Sequence, residues 1–293
     1  MSESGPSKMA VPNFDPVIPF VEKPSESILL PINLPARFFE EKELSSVKFE
    51  WTVKSPVPRI VVVEVPLASK EFKKVGFTSY KFCSVEGAQC HIVKNRDYIV
   101  IAFRGTEPRQ FSDIKADLMA WKRKSRTEGH VHAGFKNELD KLWADIKMGL
   151  SRKGDRTIFL CGHSLGGAIA TVCASRLESD VEELYTYGSP RVGGDVFRDN
   201  LLVEHCRIVN NNDMVAKVPF WFMGYRHHGD LTYINHYGNI RTLTSWQKFK
   251  DQLRGRWAAL RKFEMFDGIR DHDINKYCSK LKAMVKVEPT FGD

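Results

Sequence analysis

Apolar residues come in short blocks from about residue 57 onward. "RIVVVEV", "CHIVKNRDYIVIAFRG" and "RTIFLCG" are rich in β-branched and aromatic residues and bounded by turn formers, which predicts strands. Asn95-Arg96-Asp97 predicts a hairpin turn between Cys90–Val93 and Tyr98–Phe103. Helical periodicity follows over Phe135 to Leu150, Ala168 to Leu177 and Asp195 to Leu202, while "ELYTYGSP" and "CRIVNNND" are further short strands ending in loop residues. Alternation of this kind predicts an α/β fold with a mostly parallel central sheet flanked by helices. Ligands bind such sheets beyond the carboxyl ends of the strands, and three of those ends carry Thr106, Ser164 and Asp213.

The first 36 residues break this pattern. They hold seven of the 14 prolines, so they read as a poor helix and a poor strand, an irregular N-terminal arm over residues 1–36 before a single domain over 37–293. The chain of 293 residues is long enough for one full-sized core. No run approaches the roughly 20 apolar residues of a spanning helix. No basic start followed by an apolar block marks a signal peptide. The six cysteines form no CxxC pair, which speaks against zinc; without a signal they are expected as reduced thiols in a cytoplasmic protein, with peripheral membrane attachment or export without a cleaved signal as the alternatives, and Cys83 and Cys90 alone are spaced for a hairpin disulfide. The net charge of +8 favours anionic partners, but the basic stretches "WKRKSR" and Lys248 to Lys262 come with no nucleic-acid motif, so a solvated or membrane-facing surface is expected and no nucleic acid.

Chemistry concentrates at "FLCGHSLGGAIA". Gly162-His163-Ser164-Leu165-Gly166 fits a G-x-S-x-G elbow between a strand and a helix. Such a turn exposes a serine hydroxyl and sets it before a helix N-terminus, where free N–H groups favour an oxyanion. A serine needs a base, and the base an orienting carboxylate. Asp213 follows a strand in "RIVNNNDMVAKVP", and His272 lies in "GIRDHDINKYC". His236 is the runner-up base, His163 a packing residue, His132 a brace beneath the site, Asp195 a helix cap, and His227 with His228 a weak metal pair lacking further ligands.

From Val75 to Leu281 the segments "GFTSYKFCSVEGAQCHIV", "IVIAFRGTE", "DIKADL", "VHAGF", "GHSLGGA", "YGSPRVG", "RIVNNNDMVAKVP", "GYRHHG" and "DHDINKYC" occur in order. In this the chain resembles the class 3 (fungal-type) lipases of the α/β-hydrolase fold. The resemblance implies Ser164 as nucleophile, Asp213 as orienting acid and His272 as base, with Thr106 and Leu165 forming the oxyanion hole. It implies that Asp117 supports the oxyanion loop, and Asp113 is a second candidate for that work. The implied activity is hydrolysis of lipid acyl esters such as acylglycerols, with no cofactor and no metal. A non-lipid esterase acting on aryl or feruloyl esters, or a catalytically silent lipase-like binding protein, stands as the alternative.

Two departures bear on the substrate. The family's lid position, "EPRQFSDIKA", is polar here, with Phe111 and Ile114 as its main apolar residues. "SWQKFKDQLRGRWAALRKF" (Ser245–Phe263) reads as an amphipathic helix with Trp246, Phe249, Leu253, Trp257, Leu260 and Phe263 on one face. That face either docks on the core, or meets an anionic membrane or lipid droplet.

Overall fold

The computed structural model describes residues 27–31, 60–64, 72–73, 76–105, 122–241, 243–261 and 267–285. Strands β1 (Ser27–Pro31) and β2 (Ile60–Glu64) pair antiparallel with each other. β1 lies inside the proline-rich arm, where no strand is expected; it is built on the proline-free run Ser27–Leu30 and closes on Pro31. The main sheet has seven strands in the order β3 (Ser79–Val85), β4 (Ala88–Lys94), β5 (Tyr98–Phe103), β8 (Thr157–His163), β9 (Val181–Tyr187), β10 (Glu204–Asn210) and β11 (Asp230–Ile234). β5, β8, β9, β10 and β11 run parallel, and β3 and β4 add an antiparallel edge, so the sheet is mostly parallel as the pattern predicts. Asn95 makes the β4–β5 turn by accepting the N–H groups of Asp97 and Tyr98 on its side-chain oxygen. A separate short pair, β6 (Lys122–Lys124) and β7 (His130–His132), includes part of the basic "WKRKSR" run.

Alternation along β5 sorts the core into two layers. Ile99, Ile101 and Phe103 face a cluster that includes Phe135, Leu139, Leu142 and Ile146 of α1 (Ala133–Leu150) and Ile169, Val172 and Cys173 of α2 (Leu165–Leu177). Val100 and Ala102 face a second cluster with Tyr187, Tyr277 and Leu281, the last two from the C-terminal helix. Burial on both faces explains why the central strands read as continuous apolar runs. Three shorter or later helices follow: α3 (Asp195–Asp199), α4 (Ser245–Arg261) and α5 (Asp267–Arg270), before α6 (Ile274–Val285). Among the described residues no helix is long and apolar enough to cross a membrane.

The six cysteines are thiols, and Cys83 and Cys90 sit opposite each other in the β3–β4 ladder.

Candidate active site

β8 enters the site from the middle of the sheet and ends at His163; α2 begins at Leu165. Ser164 is the whole connection. Its φ of 56° and ψ of −128° lie where non-glycine residues are strained. The turn closes only because its flanks lack side chains. A Cβ on Gly162 would run into the Gly166 backbone, and one on Gly166 into the Phe103 carbonyl. The Ser164 N–H donates to the Tyr187 carbonyl at 2.9 Å, which ties the elbow to the end of β9. Leu165 is the first residue of α2, so its N–H stands at the positive end of the helix dipole.

β10 ends at Asn210, Asn211 turns the chain with a φ of 34°, and Asp213 follows fully buried. The Asp213 carboxylate receives the His272 ring at Nδ1 on both oxygens, at 3.0 Å and 2.9 Å. It also accepts the Tyr277 hydroxyl at 2.6 Å and the Val215 N–H at 2.8 Å. Burial alone would raise the Asp213 pKa, but the charge and hydrogen bond of His272, with the Tyr277 hydroxyl, outweigh it and hold the carboxyl below its ordinary value.

His272 sits between α5 and α6 and is itself buried. Its loop is stitched to the Asn210–Asn212 turn: Asn210 Nδ2 donates to the Asp271 carbonyl at 2.8 Å, and the Asn212 N–H to Asp271 Oδ2 at 3.2 Å. The His163 ring stacks on the His272 ring with centroids 4.6 Å apart, and His163 Nε2–H donates to the His272 carbonyl at 2.8 Å. Burial, then the neighbouring His272, pushes the His163 pKa down to about 3, so this ring is a neutral support.

Gly188 brings the two halves together. It follows Tyr187, the acceptor of the Ser164 amide, and a Cβ there would stand 2.5 Å from Asp213 Oδ2 and 2.9 Å from His272 Nδ1. The structure therefore gathers Ser164, Leu165, Asp213 and His272 at the carboxyl ends of β8, β9 and β10. Thr106, Asp113 and Asp117, and the lid segment with Phe111 and Ile114, lie outside the described residues. Gly105, the last described residue of that approach, abuts Ser164: its Cβ would stand 3.2 Å from Ser164 Cβ.

The other histidines have different work. His132 caps α1, its Nδ1 accepting the Gly134 N–H at 3.1 Å. The His236 N–H donates to Asp251. His227 Nε2–H donates to the Ala216 carbonyl at 2.7 Å, beside the Asp213 turn, and His228 pairs with His205 at 3.1 Å. Among the described residues no group of three His, Cys, Asp or Glu side chains is placed to hold a metal. Asp195 is not itself the cap: Gly194 holds that position, and Asp195 pairs with Arg198 and Arg226. Tyr277 is the functional residue that sequence reading leaves unassigned; it lies within "DHDINKYC", five positions after His272.

For α4 the structure decides against one of the two alternatives, docking of its apolar face on the core. Trp246, Phe249, Leu253 and Trp257 are exposed, so this apolar face is not docked on the core, while Leu260 and Phe263 lie outside the described side chains.

Residues 100–223 match the family model described as lipase (class 3). The chain is 41% identical over 106 residues to secreted mono- and diacylglycerol lipase 1 of Fusarium solani, covering 33% of this chain and 32% of that protein. It is 31% identical over 167 residues to secreted mono- and diacylglycerol lipase A of Penicillium cyclopium, covering 50% of this chain and 51% of that protein. The chain thus spans a third to a half of the length of these relatives. A deletion mutant of the Rhizomucor miehei lipase propeptide complex shares the fold, with a TM-score of 0.52 at 22% identity over 67% of this chain and 65% of the other. These relatives overturn the cytoplasmic expectation, since both carry the word secreted in their names. The physical reason lies in the cysteines: five of the six are buried, so thiols here report packing and not a compartment.

Proposed function

We propose, on the premise that residues 100–223 make this chain a member of the class 3 lipase family, that it hydrolyses carboxylic esters of lipids such as acylglycerols. One observation carries the mechanism: a fully buried Asp213 holding His272 Nδ1 at 2.9 Å beside a strained serine at a helix N-terminus. Ser164 Oγ attacks the ester carbonyl carbon as His272 Nε2 takes its proton. Asp213 keeps the proton-bearing Nδ1 in place and stabilises the imidazolium. The oxyanion is received by the Leu165 N–H and by Thr106, braced by Asp117, each donor contributing about 3 kcal/mol. His272 then protonates the leaving alkoxide, and water releases the acid from the acyl-enzyme by the same steps in reverse. Residues 37–293 make up this unit, and no cofactor enters the scheme.

The setting is extracellular, in keeping with relatives named as secreted. Those names also say mono- and diacylglycerol, which makes partial glycerides the first substrates to try. The test is a panel of mono-, di- and triacylglycerols beside p-nitrophenyl acetate. Release of fatty acid from glycerides by the wild-type chain, absent from Ser164→Ala, is expected. Turnover of acetate with none of the glycerides would make the chain a non-lipid esterase instead.

A further inference from the structure

α4 is docked back to front. At roughly 100° per residue, Trp246, Phe249, Leu253 and Trp257 fall within an arc of about 80°, and Lys248, Asp251 and Gly255 fall opposite them. A surface helix ordinarily turns its apolar stripe inward, because burying each large apolar side chain stabilises by about 1.5–3 kcal/mol. Here the polar side is inside. Asp251 is 4% exposed and its Oδ2 accepts the Tyr233 hydroxyl and the His236 N–H, both at 2.9 Å. Asn212 Nδ2 donates to the Gln252 carbonyl at 2.9 Å. The Gly255 backbone packs so closely that a Cβ would collide with the Asn211 side-chain amide. These polar contacts fix the helix rotation, and they leave Trp246, Phe249, Leu253 and Trp257 between 37% and 65% exposed.

Charge selects the occupant of that stripe. Lys250 and Arg254 are exposed along one margin of it, about 20° and 60° round from Trp257. Lys250 Nζ stands 5.1 Å from the centre of the Trp246 ring. α4 carries five basic residues and one acidic residue, and the acidic one is the buried Asp251. No carboxylate of α4 therefore opposes an anionic surface. A second copy of this chain would set one basic helix face against another. We propose that this face of α4 docks on an anionic lipid surface. The aromatic rings enter the headgroup–acyl boundary, and Lys250 and Arg254 meet lipid phosphates. The helix rests on Asn211 and Asn212, which lead directly into Asp213, so docking holds the carboxyl end of the sheet at the interface. The purpose of the contact rests on the lipid-ester reading above; the contact itself is measured without hydrolysis.

The experiment is flotation of the full chain with vesicles of ether-linked phosphatidylglycerol and phosphatidylcholine, which no esterase cleaves. The wild type should float with anionic vesicles, float less as salt rises, and float poorly with phosphatidylcholine alone. In Trp246→Glu/Trp257→Glu, with an unchanged circular dichroism spectrum, binding should fall by about tenfold or more. In Lys250→Glu/Arg254→Glu the preference for anionic vesicles should vanish. Failure of the wild type to float, or flotation unchanged in the double tryptophan variant, overturns the proposal. So does a dimer dissolved by the tryptophan changes with flotation intact, which would assign the face to a second copy. Vesicle binding by a chain that cleaves no ester would sink the activity and leave this surface standing.

Discussion

The Tyr277 hydroxyl donates to Asp213 Oδ2 at 2.6 Å, and its oxygen accepts the Asn210 N–H at 2.9 Å. One side chain of α6 thereby fixes both the carboxylate and the end of the strand that delivers it. Tyr277→Phe removes a donor from a fully buried carboxylate and an acceptor from a buried N–H. It should cost about 1–3 kcal/mol of stability, read as a lowered urea midpoint with unchanged slope. It should also lower kcat while leaving KM close to wild type, because Asp213 then holds His272 less firmly.

Ser164 adopts a backbone conformation that costs a non-glycine residue about 1–3 kcal/mol. Ser164→Gly and Ser164→Ala both lack the nucleophile, but only glycine releases the strain. The glycine variant should therefore be the more stable of the two by about 1 kcal/mol, measured by denaturant titration. An alanine variant as stable as the glycine variant would mean that the elbow stores no strain.

Asp213 has a folded pKa below its ordinary value of 3.8. Such a carboxyl stabilises the folded chain above the unfolded-state pKa, and the contribution fades as pH falls through the lowered value. The difference in Tm between wild type and Asp213→Asn should thus be constant above about pH 5 and close below about pH 4. A gap that widens on acidification would show the carboxyl to be destabilised by its burial.

Gly166, in the elbow, carries a requirement that Gly87, in the β3–β4 turn, does not. A Cβ on Gly166 meets the Phe103 carbonyl, whereas one on Gly87 meets nothing. Gly166→Ala should lower stability by about 1–3 kcal/mol and abolish turnover by displacing Ser164. Gly87→Ala pays only for its positive φ in the β3–β4 turn and should keep full kcat, which an ester assay reads directly.

The elbow was legible because it is local: strand, Gly162, Ser164, Gly166 and helix occupy one stretch of chain. Asp213 and His272 were legible through their order and motifs. Tyr277 was not, since its bond to Asp213 depends on how α6 lies on the sheet, 64 residues away along the chain. The same limit hid the rotation of α4. Periodicity located the aromatic stripe of that helix, but its facing is set by Asp251 with Tyr233 and His236, and by the close fit of Gly255 on Asn211. β1 escaped notice because proline counts describe the arm as a whole and not the short run that β1 occupies.

The central claim is that Ser164 is a nucleophile activated by His272 and Asp213. Covalent labelling with a fluorophosphonate, with the adduct located by peptide mass spectrometry, tests it most directly. One adduct is expected, on Ser164, whose formation slows by several orders of magnitude in His272→Ala and in Asp213→Asn, in line with the roughly 10⁴-fold effect of disabling such a triad. Absence of labelling in the folded wild-type chain, or an adduct on Ser164 formed at an unchanged rate without His272, would contradict it.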